Sequence, residues 1–186
     1  MKITRRDALR QCLIITVGAT LIPSCMQEKE KPLADLKHID LNGNNQKLIT
    51  ELCETIIPAT DTPGAKDTYT HLFVLKMLDD CSTKEEQDAY VRGLKDFEDF
   101  SKKKFDKSFT ECTVQQREDL LRSVIDNKGK DISKETVDFL NTTKKLTLQG
   151  FMTSKYYLTN VRVYKLVPGK FSGCFPVTKF NKQGSI

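Results

Sequence analysis

The stretch Asn45-Gln46-Lys47-Leu48-Ile49-Thr50-Glu51-Leu52-Cys53-Glu54-Thr55-Ile56-Ile57-Pro58 decides the fold class. Leu48, Ile49, Leu52, Cys53, Ile56 and Ile57 recur at three- and four-residue spacings, which lays them on one stripe of an amphipathic helix. Pro58 ends that helix, because its ring disfavours helical geometry in the residue before it. Cys53 falls on the apolar stripe and reads as a buried free thiol. Downstream, Leu72 to Leu78 is apolar almost all round and predicts a well-buried helix ending near Asp79-Asp80-Cys81. Solvation at a helix end is the expected role of the two aspartates.

The same pattern repeats along the chain. Ser82-Thr83 followed by Glu85-Glu86 predicts a capping box, opening a helix through Tyr90, Val91, Leu94, Phe97 and Phe100. Thr113 to Gln116 opens a fourth, with Leu120, Leu121, Val124 and Ile125 on its face, broken at Asn127 to Gly129. Ser133 caps a fifth, with Ile132 and Val137 spaced as a hydrophobic staple. That helix extends to Gln149, with Gly150 as its stop. From Val167 the chain is loop-like, with turns at Pro168-Gly169 and Ser172-Gly173. The expectation is an all-α chain: a single helical domain of about five helices over residues 45–186, with an irregular C-terminal tail.

Ahead of this domain, Thr4-Arg5-Arg6-Asp7-Ala8-Leu9-Arg10 precedes an apolar run from Cys12 to Ile22. A bilayer crossing needs about 20 apolar residues, so the run is too short for a spanning anchor. The pair Arg5-Arg6 resembles a twin-arginine export signal, which is read by a machinery that moves folded proteins; an ordinary secretory lipoprotein signal is the alternative. Leu21-Ile22-Pro23-Ser24-Cys25 resembles a lipobox, which implies cleavage before Cys25 and a lipid on that cysteine. Residues 1–24 then read as signal peptide and 25–44 as a flexible tether, charged and apolar-poor from Met26 to Pro32. The expected location is the periplasmic face of a membrane, or the outer membrane as a lipoprotein.

Composition narrows the function. Removing residues 1–24 takes away Lys2, Arg5, Arg6, Arg10 and Asp7, so the formal charge falls from +5 to +2. No basic stripe is left to hold a phosphate backbone, and nucleic acid is not an expected partner. Lys102-Lys103-Lys104 reads as a solvated helix face. Cys53, Cys81, Cys112 and Cys174 show no CxxC, CxxCH or zinc-type spacing. Cys81 follows a helix and Cys174 lies in the glycine-flanked tail, so these two are the disulfide candidates; such a bridge is worth roughly 2–5 kcal/mol in the chain-entropy model. There is no GxGxxG and no serine nucleophile elbow. His38 and His71 are the only histidines, and His71 reads as a satisfied structural residue. Asp79-Asp80 has no calcium-loop spacing. No catalytic residue, metal ligand or cofactor site is expected in this chain.

Leu52-Cys53-Glu54-Thr55-Ile56-Ile57-Pro58-Ala59-Thr60-Asp61-Thr62-Pro63-Gly64-Ala65 resembles the hallmark stretch of the gluconate 2-dehydrogenase subunit 3 family. The runs Leu146 to Ser154 and Val167 to Cys174 resemble the C-terminal part of that family. The resemblance implies a small, catalytically silent subunit. Its implied partner is a large flavoprotein of the glucose–methanol–choline type, carrying FAD and oxidising a sugar or sugar acid, with a cytochrome c subunit commonly accepting the electrons. It also implies support of the large subunit's maturation and export. The interface candidates are Pro58, Asp61, Pro63 and Gly64 in the loop, and Phe171 and Phe175 in the tail, where Tyr156, Tyr157 and Tyr164 add anchor area or pack on their own domain. Asp61 has a second reading, an Asx turn within its own loop. A free-standing helical envelope lipoprotein, binding a ligand or another protein, is the alternative to a dehydrogenase subunit.

Overall fold

The computed structural model describes residues 31–126 and 132–162. Within them lie five α-helices: α1 Gly43–Ile56, α2 Thr70–Cys81, α3 Lys84–Phe105, α4 Val114–Ile125 and α5 Lys134–Met152. A 3-10 turn, Phe109–Glu111, joins α3 to α4, and a π turn, Tyr157–Val161, follows α5. There is no strand among the described residues, and the all-α expectation holds.

Local chemistry sets the helix ends. Asn42 caps α1, its side chain accepting the Asn45 N–H at 3.0 Å. Thr83 with Glu86, and Thr113 with Gln116, form reciprocal capping boxes at α3 and α4. Each satisfies two N–H groups that the helix itself cannot. Ser133 caps α5 through the Thr136 N–H at 3.1 Å, and Ile132 and Val137 both pack against the core. At α1 the stripe behaves as its spacing predicts: Leu48, Ile49, Leu52 and Cys53 are buried, and Ile56 and Ile57 are half-buried.

The centre is aromatic. Phe97 of α3, Phe139 of α5 and Phe109 of the 3-10 turn are fully or almost fully buried. Phe97 lies 5.1 Å from Phe109 and 5.5 Å from Phe139, ring centre to ring centre, in tilted geometries that suit the ring quadrupoles. Tyr90 sits on Phe139 at 4.8 Å and shares a 2.8 Å hydrogen bond with Thr143. Burial raises the Tyr90 pKa, with Thr143 opposing, so its phenol stays neutral.

Three expectations need correction. Gly150 does not stop α5, which runs on to Met152. A Cβ at Gly150 would meet Phe73 at 2.7 Å and Thr70 at 3.2 Å, so the glycine serves the close approach of α2 to α5. Asp79 is not a solvated helix end: it is 2% exposed, and its carboxylate accepts the N–H groups of Lys37, His38 and Ile39 at 2.7–3.1 Å. The flexible tether therefore does not extend to residue 44. From Leu33 the chain is docked: Gln46 Oε1 accepts the Leu33 and Ala34 N–H groups at 2.7 and 2.9 Å, and Ile39 and Leu41 are buried.

Candidate partner-binding loop

The loop between α1 and α2 is wired from both ends by one carboxylate. Glu54 stands a turn before Pro58, and α1 aims it across the loop mouth. Its Oε1 accepts the Ala59 N–H at 3.0 Å, and its Oε2 accepts the Lys66 N–H at 2.9 Å. Ala65 N–H bonds Ile57 O at 2.9 Å, closing the base of the loop. Gly64 donates to Asp67 Oδ2 at 3.0 Å, while Thr68 Oγ1 donates to Gly64 O at 2.9 Å. Thr60 N–H reaches Thr62 O at 3.0 Å. Most of the loop backbone is thus paired within the loop, as a stable irregular segment requires.

Behind the loop lies an ion-pair network. Glu51 Oε1 takes Lys66 Nζ at 2.8 Å, and Oε2 takes Arg117 Nη1 at 2.6 Å. Arg117 also donates to the carbonyls of Phe109 and Thr110 at 3.1 and 2.7 Å, and its guanidinium lies 5.4 Å from the Phe109 ring centre. Burial pushes the Glu51 pKa up, but Lys66 and Arg117 outweigh it and hold the carboxyl below its ordinary value. The network ties the loop to α4 and to the aromatic centre.

Of the residues singled out in the sequence, Pro58 and Asp61 are exposed, Pro63 is half-buried and Gly64 is buried. The Asx turn expected at Asp61 does not form: among the described residues its carboxylate accepts no hydrogen bond, and Asp67 bonds the Gly64 N–H instead. Tyr69 was not anticipated. It caps α2 in a left-handed conformation, φ 56°, and is 68% exposed, an unusual backbone state for a bulky residue. Glu54, Glu51 and Arg117 were not anticipated either. For Glu54 a signal existed: a carboxylate within one turn of a helix-ending proline faces unpaired loop N–H groups.

His71 is only half-buried, and its Nδ1 is buried without a hydrogen-bond partner, contrary to the satisfied histidine expected there. Burial holds its pKa below the ordinary value, with the Ala65 backbone opposing. Tyr156 and Tyr157 pack on Phe151, at 6.5 and 5.9 Å between ring centres, so they contribute to their own domain. Cys53 is buried, takes the Thr147 hydroxyl at 3.3 Å, and has its thiol pushed up to about 11 by burial. Cys81 is an exposed free thiol. Cys174, the second half of the expected bridge, lies outside the described residues, as do Arg5, Arg6, Cys25, Tyr164, Phe171 and Phe175. Among the described residues no cluster of three or more His, Cys, Asp or Glu is placed to hold a metal ion, and no helix is long and apolar enough to cross a membrane.

The arrangement presents a prewired, solvent-facing loop on a rigid helical base, suited to being gripped by another surface. Residues 44–169 match the model of the gluconate 2-dehydrogenase subunit 3 family. The chain belongs to that family, a family of small accessory subunits of a dehydrogenase complex. No curated protein and no solved structure matches it.

Proposed function

We propose that this chain is the non-catalytic small subunit of an exported FAD-dependent dehydrogenase of the glucose–methanol–choline type, acting on gluconate or a related sugar. It binds the flavoprotein through the α1–α2 loop, with Pro58, Asp61, Pro63 and Gly64 in the contact and Tyr69 beside them. FAD resides in the large subunit, and a cytochrome c subunit takes the electrons. The Arg5-Arg6 signal carries the folded pair across the membrane, and the lipid on Cys25 then holds it at the periplasmic face or in the outer membrane.

The observation that carries this reading is the Glu54 bracket. Residues 58–62 are exposed, yet their backbone is already fixed from Ala59 to Lys66. A preordered loop loses little conformational entropy on binding, so more of its contact energy appears as affinity. Family membership supports the same reading and disfavours a free-standing lipoprotein. A specific interface of this kind buries more than roughly 1,000 Å² in total. The test is affinity capture of the tagged full chain from detergent-solubilised membranes, followed by a visible spectrum of what elutes. A large companion polypeptide with flavin absorption is expected. Elution of the chain alone, colourless, from membranes that retain flavin dehydrogenase activity would contradict the proposal.

A further inference from the structure

Two glycines let α5 press against its neighbours. A Cβ on Gly93 of α3 would collide with Glu135 O and come within 2.7 Å of Phe139 Cβ, and one on Gly150 would meet Phe73 of α2. Along α5 between these close approaches, the three helices leave a cleft of about 450 Å³. It opens at the C-terminal end of α2, whereas the candidate loop precedes the N-terminal end. The floor is apolar: Met77 and Leu78 of α2, Tyr90 of α3, and Phe139 and Leu146 of α5. Gln87 fixes the wall that α2 and α3 share, its Nε2 donating to Leu78 O and Asp79 O at 3.0 Å. A cavity of this size, apolar within and charged at the edge, has the make-up of a binding site.

The edge is acidic. Glu86, Glu135 and Asp138 stand on it against one ammonium, Lys145. Glu86 is engaged in its capping box, where Oε2 accepts the Thr83 N–H at 2.9 Å. Glu135 and Asp138, one turn apart on α5, are exposed, and among the described residues their carboxylates have no hydrogen-bond or ion-pair partner. Lys145 lies two turns beyond Asp138, about 10 Å along the axis, and leaves it unpaired. The helix dipole accounts for Glu135, in the first turn of α5, but fades beyond that turn. Asp138 is past it, and aspartate is a poor helix former.

We infer that this cleft receives a basic side chain of a partner protein, its stem on the apolar floor and its cation between Glu135 and Asp138. Basic residues bury their methylene stems along apolar surface while the charged head stays wet. Arginine is the better match, because its planar fork takes carboxylates and stacks on aromatic rings such as Tyr90 and Phe139. The acidic edge repels an anionic bilayer surface. Exposed ion pairs contribute at most about 1 kcal/mol, too little to retain a free small cation, whereas a side chain presented by a folded partner brings further contact area with it. The cleft is a second contact surface, and its occupant does not depend on what the loop grips.

The test labels the methionine methyl groups of the full chain with carbon-13 and follows them by NMR during titration with butylguanidinium, its neutral counterpart butylurea, or the anion pentanoate. Met77 lies in the cleft floor, and Met152, outside the cleft, is the internal control. Butylguanidinium should shift Met77 saturably and leave Met152 unmoved. Butylurea should bind about threefold more weakly, the contribution of an exposed ion pair, and pentanoate more weakly still. The isosteric double variant Glu135→Gln with Asp138→Asn, its Met152 resonance reporting an intact fold, should reduce butylguanidinium to the butylurea level. Equal binding of the three probes, an unaltered double variant, or no saturable shift of Met77 overturns the inference. A photo-crosslinking residue at Thr142, exposed on the same edge, then identifies the occupant in native membranes. A crosslinked polypeptide whose yield falls in the double variant upholds a protein partner. A yield that does not fall, crosslinks to lipid or small molecules alone, or no crosslink overturns it.

Discussion

The Glu54 carboxylate occupies the space a side chain on Gly64 would need: a Cβ built on Gly64 falls 2.7 Å from Glu54 Oε1 and 2.5 Å from Ala59 N. The glycine is required by close approach and not by a left-handed backbone. The residue that ties both ends of the loop and the residue that leaves room for it are ten apart in the chain, and each constrains the other.

Gly64→Ala should therefore push Glu54 or the Ala59 backbone aside. The expected loss is about 1–3 kcal/mol, the usual range for overpacking a tight site, together with weaker retention of the large subunit. Urea unfolding and the capture experiment read the two effects. Unchanged stability in the Gly64→Ala variant would contradict the bracket geometry.

Asp79→Ala removes the shared acceptor of the Lys37, His38 and Ile39 N–H groups in the docked segment Leu33 to Leu41, the strap. Hydrogen bonds to charged groups contribute about 1.5–3 kcal/mol each, net of exchange with water, so a loss of at least that order is expected. The strap should become open to proteolysis at Lys37 while α3 and α5 stay protected. Limited proteolysis with mass mapping checks this, and a variant that leaves Lys37 as resistant as before would contradict it.

Acid should loosen both anchors. Burial raises the Asp79 pKa, but the N–H groups of His38, Lys37 and Ile39 with the Lys76 ammonium prevail, and the carboxyl sits below its ordinary value. Glu51 is likewise depressed by Lys66 and Arg117. A depressed folded pKa contributes stability that is complete above the unfolded carboxylate value and is lost as pH falls through the folded one. Stability measured by denaturant should thus fall as pH drops below the ordinary carboxylate range, and Asp79→Asn should flatten that fall. An unchanged slope in Asp79→Asn would remove Asp79 from the explanation.

Thiol chemistry should divide the described cysteines. Cys53 is fully buried with its pKa near 11, and Cys112 is 5% exposed; the thiolate is the reactive form. Alkylation at pH 8 without denaturant should label Cys81 and spare Cys53 and Cys112 until the chain unfolds. Peptide mapping reads this directly, and native labelling of Cys53 would contradict the α1 to α5 packing around Thr147.

Periodicity and capping chemistry were legible. The α1 stripe, the Thr83–Glu86 box and the Ser133 cap all act between residues a few positions apart, where spacing along the chain is spacing in space. The docking of Leu33 to Leu41 was not legible, because its apolar residues Leu33, Ala34, Leu36, Ile39 and Leu41 keep no sustained helical or strand period, and its backbone is held by Gln46 and by Asp79, the latter forty residues away. Asp79 beside Asp80 has the pattern of a solvated helix end, and only the fold shows that one of the pair faces inward. Gly150 misled for a related reason: its missing side chain serves a neighbouring helix, which spacing within one helix cannot reveal. In the loop, Pro58, Pro63 and Gly64 signalled a fixed connection, while the Arg117–Glu51 pair that braces it spans 66 residues.

The central claim is that this subunit holds its flavoprotein before export and carries it across. Replacing Arg5-Arg6 by Lys-Lys tests it most directly, since the twin-arginine receptor requires the arginine pair. Cell fractionation with flavin and immunological detection should find both chains in the cytoplasm, still bound to one another. Normal export of the flavoprotein while this chain stays behind would contradict the account.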